Sequence, residues 1–238
     1  MSADASATSS DQATETVRLR PASVLIGTDL HAKDGRKVGD IVDFSIDLER
    51  SEITHLMVMT GGILTLGGDV RAVPVEAVSR EGETYHLSVS KETFDQLETY
   101  DADDLAGLHG DYGAAVARAF DVGSPPPAVE GLTRYTQISM KTVEVEGGAE
   151  LGNVDDMLVN LEAGEAPYFR IFAMDFPALG ASTFFFVPVE DLNKVQTIEP
   201  TLERSLDDLA DAPALSNLSS VETAQVDGHR IFQMETDS

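Results

Sequence analysis

Between Val38 and Asp47 the apolar side chains Val38, Val42, Phe44 and Ile46 fall on one face, and Asp43, Ser45 and Asp47 fall on the other. That period of two predicts a half-buried strand. Ile53 to Thr60 follows as a second β-rich run, with Tyr168 to Asp175 as its counterpart later in the chain. Asp34-Gly35 and Gly147-Gly148 stand just before alternating runs and suit tight hairpin turns. Val73-Pro74 and Val187-Pro188 end strands, because Pro cannot donate to a central ladder. The pattern then changes to apolar residues three or four apart after a hydroxyl cap. Ser90 to Leu97 and Thr201 to Leu209 are therefore predicted as short closing helices.

These patterns occur twice. Gly35 to Asp47 aligns with Gly148 to Asn160 at an offset of 113, and Val73 to Val78 aligns with Val187 to Leu192 at an offset of 114. Two separated matches at nearly constant offset predict a duplicated domain. Residues 1–20, rich in Ser, Thr, Ala and acid, are expected to be a disordered leader. Residues 21–100 form the first unit, 101–131 an acidic and Pro-rich linker, 132–212 the second unit and 213–238 a tail. The linker contains a weak helix (Gly113 to Phe120) and the stiff run Ser124 to Pro127. The tail holds one candidate hairpin, Val221 to Phe232 around Asp227-Gly228.

The first motif is Gly35, Gly39, Ile41 and Asp43 in one copy and Gly148, Gly152, Val154 and Asp156 in the other. With the two Val-Pro-Val-Glu segments and the loop Gly61 to Gly68, it resembles the PRC-barrel family. That family includes the cytoplasmic part of the photosynthetic reaction-centre H subunit and the C-terminal domain of the ribosome maturation factor. The resemblance covers about 22–98 and 134–211. It implies a mainly β fold of two tandem small barrels, each followed by a short helix. It also implies binding of other macromolecules, with no shared catalytic residues. The sequence departs from the family where an aromatic often follows Val-Pro, since Val75 and Val189 stand there. Phe176 to Ser182 replaces the Gly-rich loop in the second copy. A photosynthetic or ribosomal role does not carry over.

Charge narrows the partners. The chain of 238 residues has 42 acidic against 16 basic side chains, a net charge of −26. Nucleic-acid binding needs clustered Lys and Arg to neutralise phosphates, and an anionic membrane surface would repel this chain. No apolar run approaches the ~20 residues that span a bilayer. A cytoplasmic location is expected. The acidity fits either a well-solvated surface or adaptation to a salty cytoplasm.

Candidate chemistry is sparse. There is no Cys, and the five His residues (31, 55, 86, 109, 229) show no ligand spacing. His55 reads as a structural strand residue. Asp101 to Gly107 lacks the spacing of a calcium loop. No cofactor and no metal are expected. Asp155-Asp156 is the one candidate acid–base pair: Asp155 takes the place of Val42 and is either buried or turned to solvent by a bulge. On Phe184-Phe185-Phe186-Val187, Phe185 and Val187 share a face and leave Phe184 and Phe186 on the opposite one. Ile63, Leu64 and Leu66 on a loop tip raise the same question of what covers them. These five residues are the candidate interaction surface. The leading expectation is a non-enzymatic adaptor or scaffold that docks onto a protein partner or a second copy. The alternatives are a structural or stress-related protein of a salt-adapted cytoplasm, and a ligand-binding or enzymatic protein using Asp155 and Asp156.

Overall fold

The computed structural model describes residues 19–61, 68–101, 103–123, 132–176, 181–195, 200–214 and 231–235. The first half runs β1 (Arg20–Pro21), a 3-10 turn Ala22–Val24, β2 (Asp29–His31), β3 (Lys37–Asp47), β4 (Glu52–Thr60), β5 (Asp69–Pro74), a 3-10 turn Val75–Ala77, β6 (Val78–Glu81), β7 (Thr84–Leu87) and α1 (Lys91–Asp95). A 3-10 segment, Leu105–His109, and α2 (Asp111–Phe120) follow. The second half runs β8 (Leu132–Arg134), α3 (Tyr135–Ile138), β9 (Thr142–Val145), β10 (Glu150–Asn160), β11 (Glu165–Phe176), β12 (Ala181–Pro188), a 3-10 turn Val189–Asp191, β13 (Leu192–Asn193), β14 (Thr201–Leu202) and α4 (Leu206–Ala210). β15 (Phe232–Glu235) lies near the C-terminus.

The fold is mainly β, as the alternating pattern predicts. The fifteen strands of the described residues join one sheet, whose main path runs β13-β14-β9-β10-β11-β4-β3-β2-β7-β6. β5 is added to β4, β12 to β11 and β15 to β12. Among the described residues the path does not close into a ring, and neither half has a sheet of its own. No helix of the described residues is long and apolar enough to cross a membrane.

The motif glycines have a steric cause. A Cβ added at Gly39 would lie 2.2 Å from the Met59 carbonyl oxygen, and one at Gly152 would lie 2.0 Å from that of Phe172. Only glycine allows β3 to approach β4, and β10 to approach β11, so closely. The register slips two residues later in both pairs, between Ile41 and Asp43 and between Val154 and Asp156. Each slip is a β-bulge, which re-aims the residues after it.

The bulge changes the reading of β3. Val42 is only half-buried, while Asp43, Ser45 and Asp47 are buried along with Phe44 and Ile46. β3 is covered on its second face because Thr136 of the other half donates to Asp43 there, and Tyr100 and Leu108 pack beside it on Met57 and Ala72. β8 pairs antiparallel with β3, Ser45 facing Arg134 and Asp47 facing Leu132. In return β1 pairs with β10, Arg20 facing Val159 and Pro21 facing Leu158. The halves also join edge to edge where Glu52 faces Glu165. There Ile53 N–H donates to the Gly164 carbonyl (2.8 Å) and Ala166 N–H to the Ser51 carbonyl (2.7 Å). One hydrophobic core runs through both halves, with Phe44, Ile53, Tyr135, Ala166 and Phe169 in the same cluster. The Tyr135 ring meets Phe44 edge-on at 6.2 Å.

Two other expectations need revision. The second closing helix begins at Leu206 rather than near Thr201, because Ser205 and Asp208 form its capping box while Thr201 and Leu202 are a strand. The first, capped by Ser90, begins as predicted. Residues 103–123 do not stand apart as a linker. Tyr100 and Leu108 pack on Met57 and Ala72 with Val42, Val70, Leu105 and Tyr112 around them. The run Ser124 to Pro127 and the Asp227-Gly228 turn lie outside the described residues. Within the tail, β15 pairs antiparallel with β12.

Candidate functional site

The motif aspartates, Asp43 and Asp156, are both buried, and each is gripped from the far half of the chain. Asp43 Oδ1 accepts from the Phe44 N–H (2.8 Å) and the Thr136 N–H (3.1 Å), and Oδ2 accepts from the Thr136 hydroxyl. Arg134 Nη1 lies 3.7 Å from Oδ2. Asp156 repeats the arrangement. Its Oδ1 accepts from the Met157 N–H (2.8 Å) and the Ser23 N–H (3.1 Å), and its Oδ2 from the Ser23 hydroxyl (2.5 Å). Tyr135 adds a hydroxyl donor to Asp156 Oδ1 at 3.0 Å, and Arg170 Nη2 stands 3.4 Å from Oδ2. Burial, and then the Asp156 charge, raise the Tyr135 phenol above its usual range, so it stays a donor. A buried carboxylate is tolerated only when its acceptor positions are filled, and these donors fill them.

Asp155 has a different setting. It occupies the bulge, its side chain is 36% exposed, and Arg170 binds it through Nη2 at 2.5 Å and Nε at 2.6 Å. Arg170 thus bridges Asp155 and Asp156. The same guanidinium lies over the Phe184 ring, 5.1 Å from its centroid, a cation–π contact. Phe184 faces Phe172 in register, the two rings 5.3 Å apart at 48°. Met174, two residues further along β11, is 71% exposed. Arg170, Phe172, Phe184 and Met174 make an aromatic and sulfur-bearing face on β11 and β12.

The five residues of the expected interaction surface fare differently. Phe184 is half-buried and belongs to this face. Phe186 does not present surface: opposite Arg170, with β11 on one side and β15 on the other, it is fully buried. Ile63, Leu64 and Leu66 lie outside the described residues. Phe185 and Val187 point into the main core, as the alternation predicts.

The matching face of the first half is buried at Met57 and Ala72, while Met59 and Val70 are half-buried, as Phe172 and Phe184 are. Register equates Asp43–Met57–Ala72 with Asp156–Arg170–Phe186, and Met59–Val70 with Phe172–Phe184. Over Met57 and Ala72 lie Tyr100, Leu108 and Tyr112, with the two tyrosine rings 4.7 Å apart. The Tyr100 N–H donates to the Val70 carbonyl (2.7 Å), and the Ala72 N–H donates to the Tyr112 hydroxyl (3.2 Å). The segment after the first half therefore covers Met57 and Ala72, whose counterparts are Arg170 and Phe186, and leaves Met59 and Val70, the counterparts of Phe172 and Phe184, half-buried.

His55 is buried on β4, its Nδ1 3.1 Å from the Thr54 hydroxyl. Burial first, and then the nearby His109, lower its pKa to about 4. It lines a cleft of about 90 Å³ with Glu52 and Glu76. His31 and His86 sit side by side on β2 and β7, ring centres 5.8 Å apart. Among the described residues no three His, Cys, Asp or Glu side chains are grouped to hold a metal.

The pattern reading did not find Ser23, Thr136 or Tyr135. A signal existed: the 113-residue offset extends back to Leu19 and Leu132, Ser23 and Thr136, and Leu25 and Ile138. A hydroxyl kept at one aligned pair, between apolar pairs, marks a position with a polar task. No family model matches the chain, and no curated protein matches it.

Proposed function

We propose that the chain is a non-enzymatic protein-interaction module, an adaptor or scaffold made of two tandem PRC-barrel-like units. Its docking face is the aromatic surface of β11 and β12. The observation that carries this reading is the asymmetry between the halves. Beside the patch that Tyr100, Leu108 and Tyr112 cover, the first half has the half-buried Met59 and Val70, where the second offers the aromatic Phe172 and Phe184 with the stacked Arg170 and the exposed Met174. Aromatic, Met and Arg side chains are those enriched in the centres of protein interfaces. The acidic pair is occupied otherwise: Asp155 holds Arg170 in place, and Asp156 is enclosed by its donors.

The test is partner capture by the full chain against Met174→Asp and Phe172→Asp variants, each shown to be folded by circular dichroism, at low and molar salt. With a net charge of −26, copies of the chain repel one another, so salt promotes self-association. Binding to a basic partner weakens with salt instead. Loss of one dominant, identified partner in both variants supports the reading. Unchanged association in folded variants refutes it.

The same net charge favours a second reading, a structural or stress-related protein of a salt-adapted cytoplasm. There the acidic surface is itself the functional part, and the melting temperature rises steeply between low and molar KCl. A flat or falling melting temperature removes it.

A further inference from the structure

We infer that the two halves constitute a fused dimer: each donates its leading segment to the other, and the assembly persists when the connection between them is cut. The contacts across the junction come in pairs related by the same 113-residue offset. Ala166 N–H to Ser51 C=O is matched by Ile53 N–H to Gly164 C=O. β1 on β10 is matched by β8 on β3. Ser23 on Asp156 is matched by Thr136 on Asp43. Reciprocal pairing of this kind defines an isologous, two-fold interface.

Glu52 shows where the axis passes. Its partner across the strand pair is Glu165, its own aligned counterpart. A residue faces its own counterpart only on a two-fold axis. The cost is visible there too, since like charges directly opposed on paired strands are unfavourable. Two domains that merely pack side by side would not exchange strands, would not place a carboxylate of each under a hydroxyl of the other, and would not share one core. The partner this surface fits is thus the other half of a chain of this kind, in the same molecule or in a second copy.

The full chain decides the matter after one change: Ser124–Pro127 is replaced by a specific protease site and the folded protein is cut there. Fragment association is read by light scattering during size-exclusion chromatography and by native mass spectrometry across a dilution series. The fragments are expected to remain a one-to-one complex at micromolar concentration in native buffer and to separate only in denaturant. Ser23→Ala combined with Thr136→Val is expected to raise the dissociation constant of the cut form at least tenfold. Glu165→Gln, which removes the opposed charge, is expected to lower it. Separation of the wild-type fragments in native buffer overturns the inference. So does a cut complex whose affinity is the same with and without the two hydroxyls, because simple side-by-side packing would behave that way.

Discussion

Replacing Asp156 by Asn removes one charge and little volume from a fully buried carboxylate. The wild-type carboxylate accepts from Ser23 through N–H and hydroxyl, from Tyr135 and from the Met157 N–H, and it lies 3.4 Å from Arg170. An Asn amide keeps one acceptor oxygen but turns an N–H₂ donor toward groups that are themselves donors. Hydrogen bonds to a charged acceptor contribute about 1.5–3 kcal/mol each, and breaking a buried ion pair from one side costs about 3–5 kcal/mol. Asp156→Asn should therefore destabilise the protein by ~3–5 kcal/mol, a large part of the roughly 5–15 kcal/mol typical of a folded protein. Asp43→Asn should cost less, about 2 kcal/mol, because Arg134 stands further off at 3.7 Å. Urea unfolding at neutral pH measures both. The decisive figure is the coupling between Asp156→Asn and Ser23→Ala, sites 133 residues apart in sequence. A double-mutant cycle should give about 1–2 kcal/mol of coupling. Additive effects, or a loss below ~1 kcal/mol for Asp156→Asn, would refute the clasp as a source of stability.

The remaining predictions concern the strand crossings and pH. Gly39→Ala and Gly152→Ala each drive a methyl group into a backbone carbonyl that cannot yield without moving a strand. Each should lower stability by about 1–3 kcal/mol or more in a urea titration, and a neutral result at both would show that the crossing is looser than described. His55 is held neutral, with a folded pKa of about 4 against 6.5 for the free side chain. Its contribution is full above the unfolded value and lost as pH falls from 6.5 toward 4, a difference of about 3 kcal/mol. Comparing unfolding of wild type and His55→Asn at pH 7 and 4.5 isolates it from the carboxylates. Parallel pH dependences in the two proteins would exclude the role.

Short-range chemistry determined much of this protein. The alternation in β3, the glycines at hairpins and crossings, the Pro that ends β5 and β12, and the Ser90 cap are all readable locally. Each depends only on sterics and hydrogen bonding within a few residues. The bulge that brings Asp155 toward solvent was one of two local options, and the structure takes it. The offset between the two motif sets also lies in plain view, and extending it would have pointed to Ser23 and Thr136.

Tertiary structure decided which surfaces those elements meet. β1 has two residues and β8 has three, too few for any periodic signal, yet they carry the exchange between halves. Ser23 beside Asp156 looks locally like any helix-capping serine, because a hydroxyl serves either task with the same geometry. Asp43, Ser45 and Asp47 read as a solvent face since alternation records only that one side differs from the other. Tyr100 and Leu108 from the segment after the first half and Thr136 from the other half bury that side, and their arrival is not encoded near β3. Phe184 and Phe186 have the same local pattern, and only the packing around Arg170 leaves one half-exposed and the other buried. Local sequence sets which side chains share a face, because that follows from backbone geometry. What covers the face depends on contacts tens of residues to more than a hundred residues distant, which only the folded chain brings together.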